Sequence, residues 1–373
     1  MRILIISAYE ASSHKVWAKA LMNGLDQHDW CYMSLPARHF AWRIRGNAMS
    51  FAFDPKFKDT LQKPYDLVIA TSMTDCVGLK AFCPDLQNIP WILYFHENQF
   101  AYPASDNQQG LIEMQMVTLY SALAADLCVF NSAFNQRSFF QGAKALLKKL
   151  PDYVSPDWLA NTQANSQVIP VPIEWPLECL IEKPFSTEGQ ADSLMGASRL
   201  KIAWSARWEF DKGPDRLFAI LQALEATGLD YEMAIMGEQF RSVPEVFTNI
   251  QRQFSHRITQ FGYAESREQY FAILASSDLF LSTALHEFQG LSVLEAVAVG
   301  CVPILPNRQV YPELFGEECL YQSHLDDLTK EASSAADLIQ SFAQHRIKPP
   351  SVTDFRLENV LARYQALIRL FEK

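Results

Sequence analysis

The sequence predicts an α/β protein built from two parallel-sheet domains, and three observations carry that expectation. At 373 residues the chain is long enough for two domains of about 100 to 200 residues, each with its own core. Short apolar runs alternate along it with longer segments of helical period, the pattern of parallel strands joined by helices. One stretch rich in proline and polar residues separates two such series.

In the first series the strands fall at residues 3–6, 67–70, 91–95, 127–130 and 168–171, with helices at 14–25, 111–125 and 133–150. From Pro170-Val171-Pro172 through Pro176 and Pro184, and on through the polar run 186–198, proline is too frequent and the apolar period too weak to continue a domain. The expected first domain is therefore 1–180 and the linker 181–199. A second series of strands follows at 201–205, 232–236, 258–261, 279–282 and 302–305, again separated by helices, giving a second domain over 200–351. Two Rossmann-like domains facing a cleft are the expected architecture. The final segment, 352–373, is amphipathic over 352–371. It is either an ordinary closing helix of the second domain or a helix that crosses back to the first.

Composition narrows the class. With 49% hydrophobic and 20% charged residues, disorder and collagen-like repeats are excluded. No stretch reaches the roughly 18 apolar residues of a membrane span, and the opening Met1-Arg2-Ile3-Leu4-Ile5-Ile6 meets Glu10 before a signal-peptide core is complete. A cytoplasmic protein is expected. Seven scattered cysteines with no C-x-x-C pair argue against a disulfide framework or a zinc site. The formal net charge of -10 argues against indiscriminate nucleic-acid binding, which needs a surplus of cations on the contact face. The excess is uneven. Residues 1–185 hold 15 basic and 17 acidic residues, and the remainder hold 17 and 25. Within 38–63 the balance turns positive, with Arg38, Arg43, Arg45, Lys56, Lys58 and Lys63 against Asp54 and Asp59.

Two constellations in the second domain suit phosphate and sugar chemistry. His286-Glu287-Phe288-Gln289-Gly290-Leu291-Ser292-Val293-Leu294-Glu295-Ala296 follows a strand and opens a helix. Gly290 permits close backbone approach, and the amides at Leu291 and beyond can face a phosphate. Glu287 lies before that helix and Glu295 inside it. Each carboxylate suits paired hydroxyls of a sugar ring or ribose, or else Glu287 is a helix-start carboxylate and Glu295 a solvated helical residue. The second constellation, Ser205-Ala206-Arg207-Trp208-Glu209-Phe210-Asp211-Lys212-Gly213, follows the first strand of that domain. Ligands of open α/β sheets bind outside the carboxyl ends of strands, so Arg207 and Lys212 are placed to meet a diphosphate, or else they form ordinary surface ion pairs. The chain has no D-x-D triplet, and two cations with a helix N-terminus can neutralise a leaving group, so neither metal nor cofactor is expected.

These residues resemble the retaining, family 4 type of glycosyltransferase with the GT-B fold. That family has a Glu, seven residues, Glu element, matched by Glu287 and Glu295, and an Arg, four residues, Lys element, matched by Arg207 and Lys212. The resemblance implies that Glu287 binds donor sugar hydroxyls, Glu295 the nucleotide ribose, and Arg207 with Lys212 the diphosphate. In the first domain, Ser13-His14-Lys15, Leu35-Pro36-Ala37 with Trp42-Arg43, Tyr94-Phe95-His96-Glu97-Asn98-Gln99, and Val129-Phe130-Asn131-Ser132 followed by Phe134-Asn135 look like the tRNA-queuosine alpha-mannosyltransferase family. That resemblance spans essentially the whole chain. It implies transfer of mannose from GDP-mannose, as co-substrate, to the queuosine base of a tRNA anticodon, with retention. Ser12-Ser13 stands where the family pattern has Gly-Gly.

His96 closes a strand and is followed by polar Glu97 and Asn98, so it is either a satisfied structural histidine or a catalytic cleft residue. His14, at the first strand-to-helix turn, is either a helix-start residue or a cleft donor to the acceptor. Arg38-His39-Phe40-Ala41-Trp42-Arg43-Ile44-Arg45 interleaves cations with aromatics, a combination that suits tRNA bases and phosphates or else a solvated amphipathic segment. Tyr263 and the Gly237-Glu238 turn are positional candidates for contact with the donor base. Three rival functions keep part of this pattern: transfer to a cell-envelope saccharide or lipid, a nucleotide-sugar 2-epimerase, and a catalytically silent tRNA-binding module. The intact set Arg207, Lys212, Glu287 and Glu295 speaks against the last.

Overall fold

A computed structural model describes residues 1–101, 111–173, 199–239 and 243–372. The chain divides into two compact units, one made of Met1–Pro172 with Asp354–Lys373, the other of Ile173–Thr353. The expected linker, 181–199, lies almost entirely outside the described residues. Both units are α/β with all-parallel six-stranded sheets.

Unit 1 runs β1 (Arg2–Glu10), α1 (Ser12–Gly24), β2 (Asp29–Pro36), α2 (Phe40–Phe53), α3 (Lys58–Leu61), β3 (Leu67–Thr71), α4 (Cys76–Phe82), β4 (Trp91–Phe95), α5 (Leu111–Ala124), β5 (Leu127–Phe130), α6 (Ala133–Leu147), α7 (Asp157–Ala164) and β6 (Gln167–Val168). The strand order is β2-β1-β3-β4-β5-β6. Every residue of β3 and β4 is buried, as expected of central parallel strands covered on both faces. The order reverses between β1 and β3, so the loops after β1, β3 and β4 converge at a switch point on the carboxyl edge.

Beyond the added helices α2, α3, α4 and α7, two strands differ from the sequence reading. β2 carries only two buried side chains, Met33 and Leu35, so as an edge strand it never shows the apolar run that marks its neighbours. The strand expected at 168–171 pairs with β5 only through Gln167 and Val168. Pro170 and Pro172 have no N–H to continue the ladder, although Ile169 N–H still donates to Phe130 O (2.8 Å).

Unit 2 runs β7 (Leu200–Ser205), α8 (Pro214–Thr227), β8 (Tyr231–Met236), α9 (Val246–Phe254), β9 (Ile258–Gly262), α10 (Arg267–Ser276), β10 (Leu279–Leu281), α11 (Leu291–Ala298), β11 (Val302–Pro306), α12 (Tyr311–Leu314), β12 (Leu320–Tyr321) and α13 (Leu328–Gln344), in the order β12-β11-β10-β7-β8-β9. β12 is a two-residue edge strand beyond the expected five.

The last helix, α14 (Leu357–Arg369), belongs to unit 1. Its Tyr364 hydroxyl accepts a hydrogen bond from the buried Trp17 indole (2.8 Å). Its Arg363 guanidinium reaches Val168 O. A Cβ on Gly24 would fall 2.2 Å from Leu361 Cδ1, so the glycine lets α14 lie close against the end of α1. Trp17 in turn stacks on Tyr94 of β4, with centroids 4.5 Å apart. Tyr364→Phe leaves a buried indole N–H unmatched and is expected to cost unit 1 about 1–3 kcal/mol. Hydrogen exchange should show the loss in α1 and β4 and leave α8 unchanged.

Candidate active site

In unit 2 the loops after β7 and β10 are joined at the carboxyl edge. Asp211 O accepts from the N–H groups of Leu285 (2.8 Å) and His286 (3.2 Å), and Thr283 Oγ1 donates to Lys212 O (2.8 Å). Gly213 is left-handed (φ +64°), and a Cβ there would lie 2.2 Å from Thr283 O. Only glycine allows the loops to touch so closely. The contact brings Lys212 Nζ within 3.2 Å of Glu287 Oε2 and 3.1 Å of His286 O. Asp211 Oδ2 also lies 3.2 Å from Nζ. Arg207 pairs with Glu209 (2.8 Å) and reaches Asp211 (3.8 Å). Burial alone pulls the Lys212 ammonium down, but Glu287 and Asp211 outweigh it and hold the group above its ordinary value. Burial likewise pushes the Glu287 carboxyl up, and the charge and hydrogen bond of Lys212 more than offset that.

Gly290, at φ +74°, precedes α11, whose start has no side-chain cap. Leu291 is the first helical residue. Glu295, on α11, accepts from Arg267 (2.7 Å) and Tyr270 Oη (3.0 Å), so it is not a solvated helical residue. Tyr270 also reaches Ser205 at the end of β7, which ties Glu295 to the same sheet edge as Arg207. Gly237 follows β8, and a Cβ there would lie 1.8 Å from Ala206 O. Tyr263 follows β9 and is exposed.

Sequence reasoning missed what holds these loops from behind. Arg308 donates to Ala284 O (2.8 Å) and Thr283 O (3.3 Å). The same guanidinium forms a two-point pair with Glu331 of α13 (2.8 and 3.0 Å), and Arg216 adds a third bond at 2.8 Å. Only the separation of these residues along the chain hid them. Asp211, beside Lys212, was missed although its position next to a lysine at a strand end was itself a signal.

In unit 1, His14 is buried near the start of α1, and His96 is buried just after β4 (1% and 5% exposed). Their rings stack with centroids 3.9 Å apart and 15° between planes. His14 Nε2 lies 3.4 Å from Glu97 Oε2, while His14 Nδ1 and His96 Nε2 have no hydrogen-bond partner. Burial, and then His14, hold the His96 imidazole well below its ordinary value, so it is neutral at pH 7. Trp17 and Tyr94 meet His96 edge-on at 5.0 and 4.7 Å. Ser12 and Ser13 form the first turn of α1.

The interleaved segment is the start of α2, preceded by Arg38 and by a left-handed His39 (φ 55°). Trp42 is 80% exposed, so it is not buried packing. Arg43 is half-buried with Nε unmatched, and desolvation together with Arg38 lowers its pKa. Arg45 bonds Ala41 O (3.0 Å) and lies 3.8 Å from Glu113. The structure thus gathers Arg38, Trp42, Arg43 and Arg45 on one helix and His14 with His96 at the strand ends of the same unit. Arg207, Lys212 and Glu287 cluster in unit 2, with Glu295 linked through Tyr270.

Paired Rossmann-like units with a cation–carboxylate cluster at the strand ends define a GT-B glycosyltransferase. Residues 190–345 match the family model described as Glycosyl transferases group 1, and residues 2–173 match the one described as tRNA-queuosine alpha-mannosyltransferase N-terminal. The chain is 33% identical over 345 residues to a tRNA-queuosine alpha-mannosyltransferase of Drosophila melanogaster, covering 92% of this chain and 89% of that one. It belongs to the tRNA-queuosine alpha-mannosyltransferase family. It is also 25% identical over 158 residues (42% of this chain, 40% of the other) to a GDP-mannose:cellobiosyl-diphosphopolyprenol alpha-mannosyltransferase of Xanthomonas oryzae pv. oryzae. Among solved structures, sucrose-phosphate synthase of Thermosynechococcus elongatus shares the fold, with TM-score 0.65 and 12% identity over 99% of both chains. No described helix is long and apolar enough to cross a membrane.

The Lys212–Glu287 pair has a pH signature. Glu287 titrates below its ordinary value of 4.5, so its stabilising effect is fully present above that value and is lost as pH falls through the lowered one. Lys212 titrates above 10.5, so its effect is present below that value and is lost only as pH rises through the raised one. The pair is therefore intact across neutral pH. Lys212→Met is expected to cost unit 2 about 1–3 kcal/mol at pH 7 and to reverse the acid trend. The variant should gain stability between pH 7 and 5 as the stranded carboxylate takes up a proton. Urea unfolding at several pH values, followed by hydrogen exchange in α8 and α11, measures this.

Proposed function

We propose that the chain transfers mannose, with retention, from GDP-mannose to the queuosine base in a tRNA anticodon. The observation that carries this reading is the 33% identity over nine-tenths of the chain to a tRNA-queuosine alpha-mannosyltransferase. The GDP-mannose donor draws further support from the second relative, whose name specifies it. On this reading Arg207 and Lys212 take the diphosphate, Glu287 takes sugar hydroxyls beside the backbone at Gly290 and Leu291, and Glu295 takes the ribose. Transfer breaks the bond from the sugar C1 to the diphosphate and makes one from C1 to the acceptor oxygen. Charge grows on the diphosphate as that bond breaks, so cations fixed beside it lower the barrier without a metal. His96, just after β4 of unit 1, is the catalytic histidine of this reading.

The tRNA engages unit 1 through Arg38, Trp42, Arg43 and Arg45, with His14 at the acceptor base. Two features of α2 support this. Exposed Trp42 offers a stacking face, and Arg43, desolvated and facing a like charge from Arg38, gains from a phosphate partner. A tRNA substrate implies a cytoplasmic location without stable membrane association.

Incubation with labelled GDP-mannose and total tRNA from queuosine-replete and queuosine-deficient cells should label only the former. Label in lipid or envelope saccharide, or conversion of the nucleotide sugar to its 2-epimer without acceptor, would replace this reading. Turnover should persist in chelator. Arg207→Ala and Lys212→Ala should each slow transfer at least tenfold, about 1.4 kcal/mol of transition-state stabilisation; unchanged turnover in both removes the diphosphate assignment. The double variant Arg43→Ala, Arg45→Ala should weaken tRNA binding and flatten its salt dependence, with GDP-mannose binding unaltered. Parent-like binding at low and moderate salt would place the tRNA elsewhere.

A further inference from the structure

We infer that Glu97, together with His14 and His96, forms the subsite that takes the side chain of queuosine, a secondary ammonium attached to a dihydroxycyclopentene ring. The inference rests on the proposed acceptor and assigns a residue, Glu97, that discriminates for it. His14 comes from the first turn of α1, which follows β1, and His96 and Glu97 from the loop after β4, at the carboxyl edge of the unit 1 sheet, where ligands of open α/β sheets bind.

The loop is held so that these side chains have fixed positions. Ser72 Oγ donates to Glu97 O (3.0 Å), and Asn131 donates to His96 O (2.8 Å). Asn98 donates to Asn135 Oδ1 (2.8 Å) and, through its own oxygen, accepts from the N–H of Phe100 (2.9 Å).

What remains unmatched defines the ligand. His14 Nδ1 and His96 Nε2 are buried without partners, and buried polar atoms are normally matched by protein, water or ligand. An apolar guest leaves both nitrogens unmatched. An anion meets the Glu97 carboxylate and an imidazole that carries no charge. A cation that also bears hydroxyls suits the set: its ammonium adds to Glu97, which already meets His14 (3.4 Å) and whose side chain is 17% exposed, and its hydroxyls, which both donate and accept, match either imidazole tautomer.

Calorimetry with the free nucleoside tests this on the full chain. The parent protein should bind queuosine at least tenfold more tightly than queuosine acylated on its side-chain amine, and more tightly than 7-deazaguanosine, which lacks the side chain. Glu97→Gln, nearly identical in shape, should bind queuosine at least tenfold more weakly than the parent and lose the preference over the acylated form. GDP binding of the variant should equal the parent's, which also reports that it is folded. If Glu97→Gln does not fold, the parent protein decides alone: equal affinity for queuosine and its acylated form overturns the subsite. So does a Glu97→Gln variant that keeps the parent's preference. Failure of the parent protein to label queuosine-containing tRNA is a different result, and it overturns the acceptor reading itself.

Discussion

The pair of Arg308 with Glu331 governs the geometry of unit 2. Glu331 has no contact with solvent, and a carboxylate so placed must be matched on every lone pair. Arg308 and Arg216 supply three bonds, and the backbone N–H of His324 supplies another at 2.8 Å. Having spent two nitrogens on Glu331, Arg308 turns the remaining donors toward Thr283 and Ala284. The planar guanidinium thus sets the distance between α13 and the loop after β10. That loop carries Glu287, so the position of a carboxylate at the strand ends depends on another, Glu331, buried farther along the chain in α13. An apolar pair of equal volume would pack as well but leave the loop carbonyls without donors.

Unit 1 solves the same problem with amides. Asn131, Asn135 and Asn98 bond one another and the carbonyls of Phe95, His96 and Asn135. Amides can donate and accept at once, so three of them close a network with no net charge. This network adds no charge beside His96, which burial holds uncharged. Below the histidines, the aromatic stack from Tyr94 through Trp17 to Tyr364 brings α14 into the support. The last helix of the chain therefore underlies the polar cluster at the ends of the first unit's strands.

How much of this the sequence displays follows from how local each feature is. The central strands are legible because burial on both faces writes continuous apolar runs, as in Leu67–Thr71 and Trp91–Phe95. β2 is illegible for the converse reason, since an edge strand buries few side chains. The cations Arg207 and Lys212 and the carboxylate Glu287 can be read as loop residues at strand ends. Their joining through Asp211 O and Gly213 cannot, because it depends on two loops more than 70 residues apart in sequence. Glu295 shows the limit most clearly: its place on a helix is visible in the sequence, while its partners Arg267 and Tyr270 come from α10 and only the fold brings them near.

Charge at the loops after β7 and β10 adds a constraint that counting cations in the sequence hides. Arg207 and Lys212 face Glu209, Asp211 and Glu287, so the local set is not a simple positive patch. Exposed ion pairs such as Arg207 with Glu209 contribute only about 0–1 kcal/mol net, but a diphosphate must still compete with them for the cations. On the proposed reading the competition is favourable only for a ligand that offers something to each side. Its phosphates replace the acids around Arg207, whose side chain is exposed, and its sugar hydroxyls donate to the carboxylate that Lys212 then shares. Inorganic phosphate supplies the first exchange and not the second. On that reading, pairing each cation with an acid in advance favours a nucleotide sugar over a bare anion.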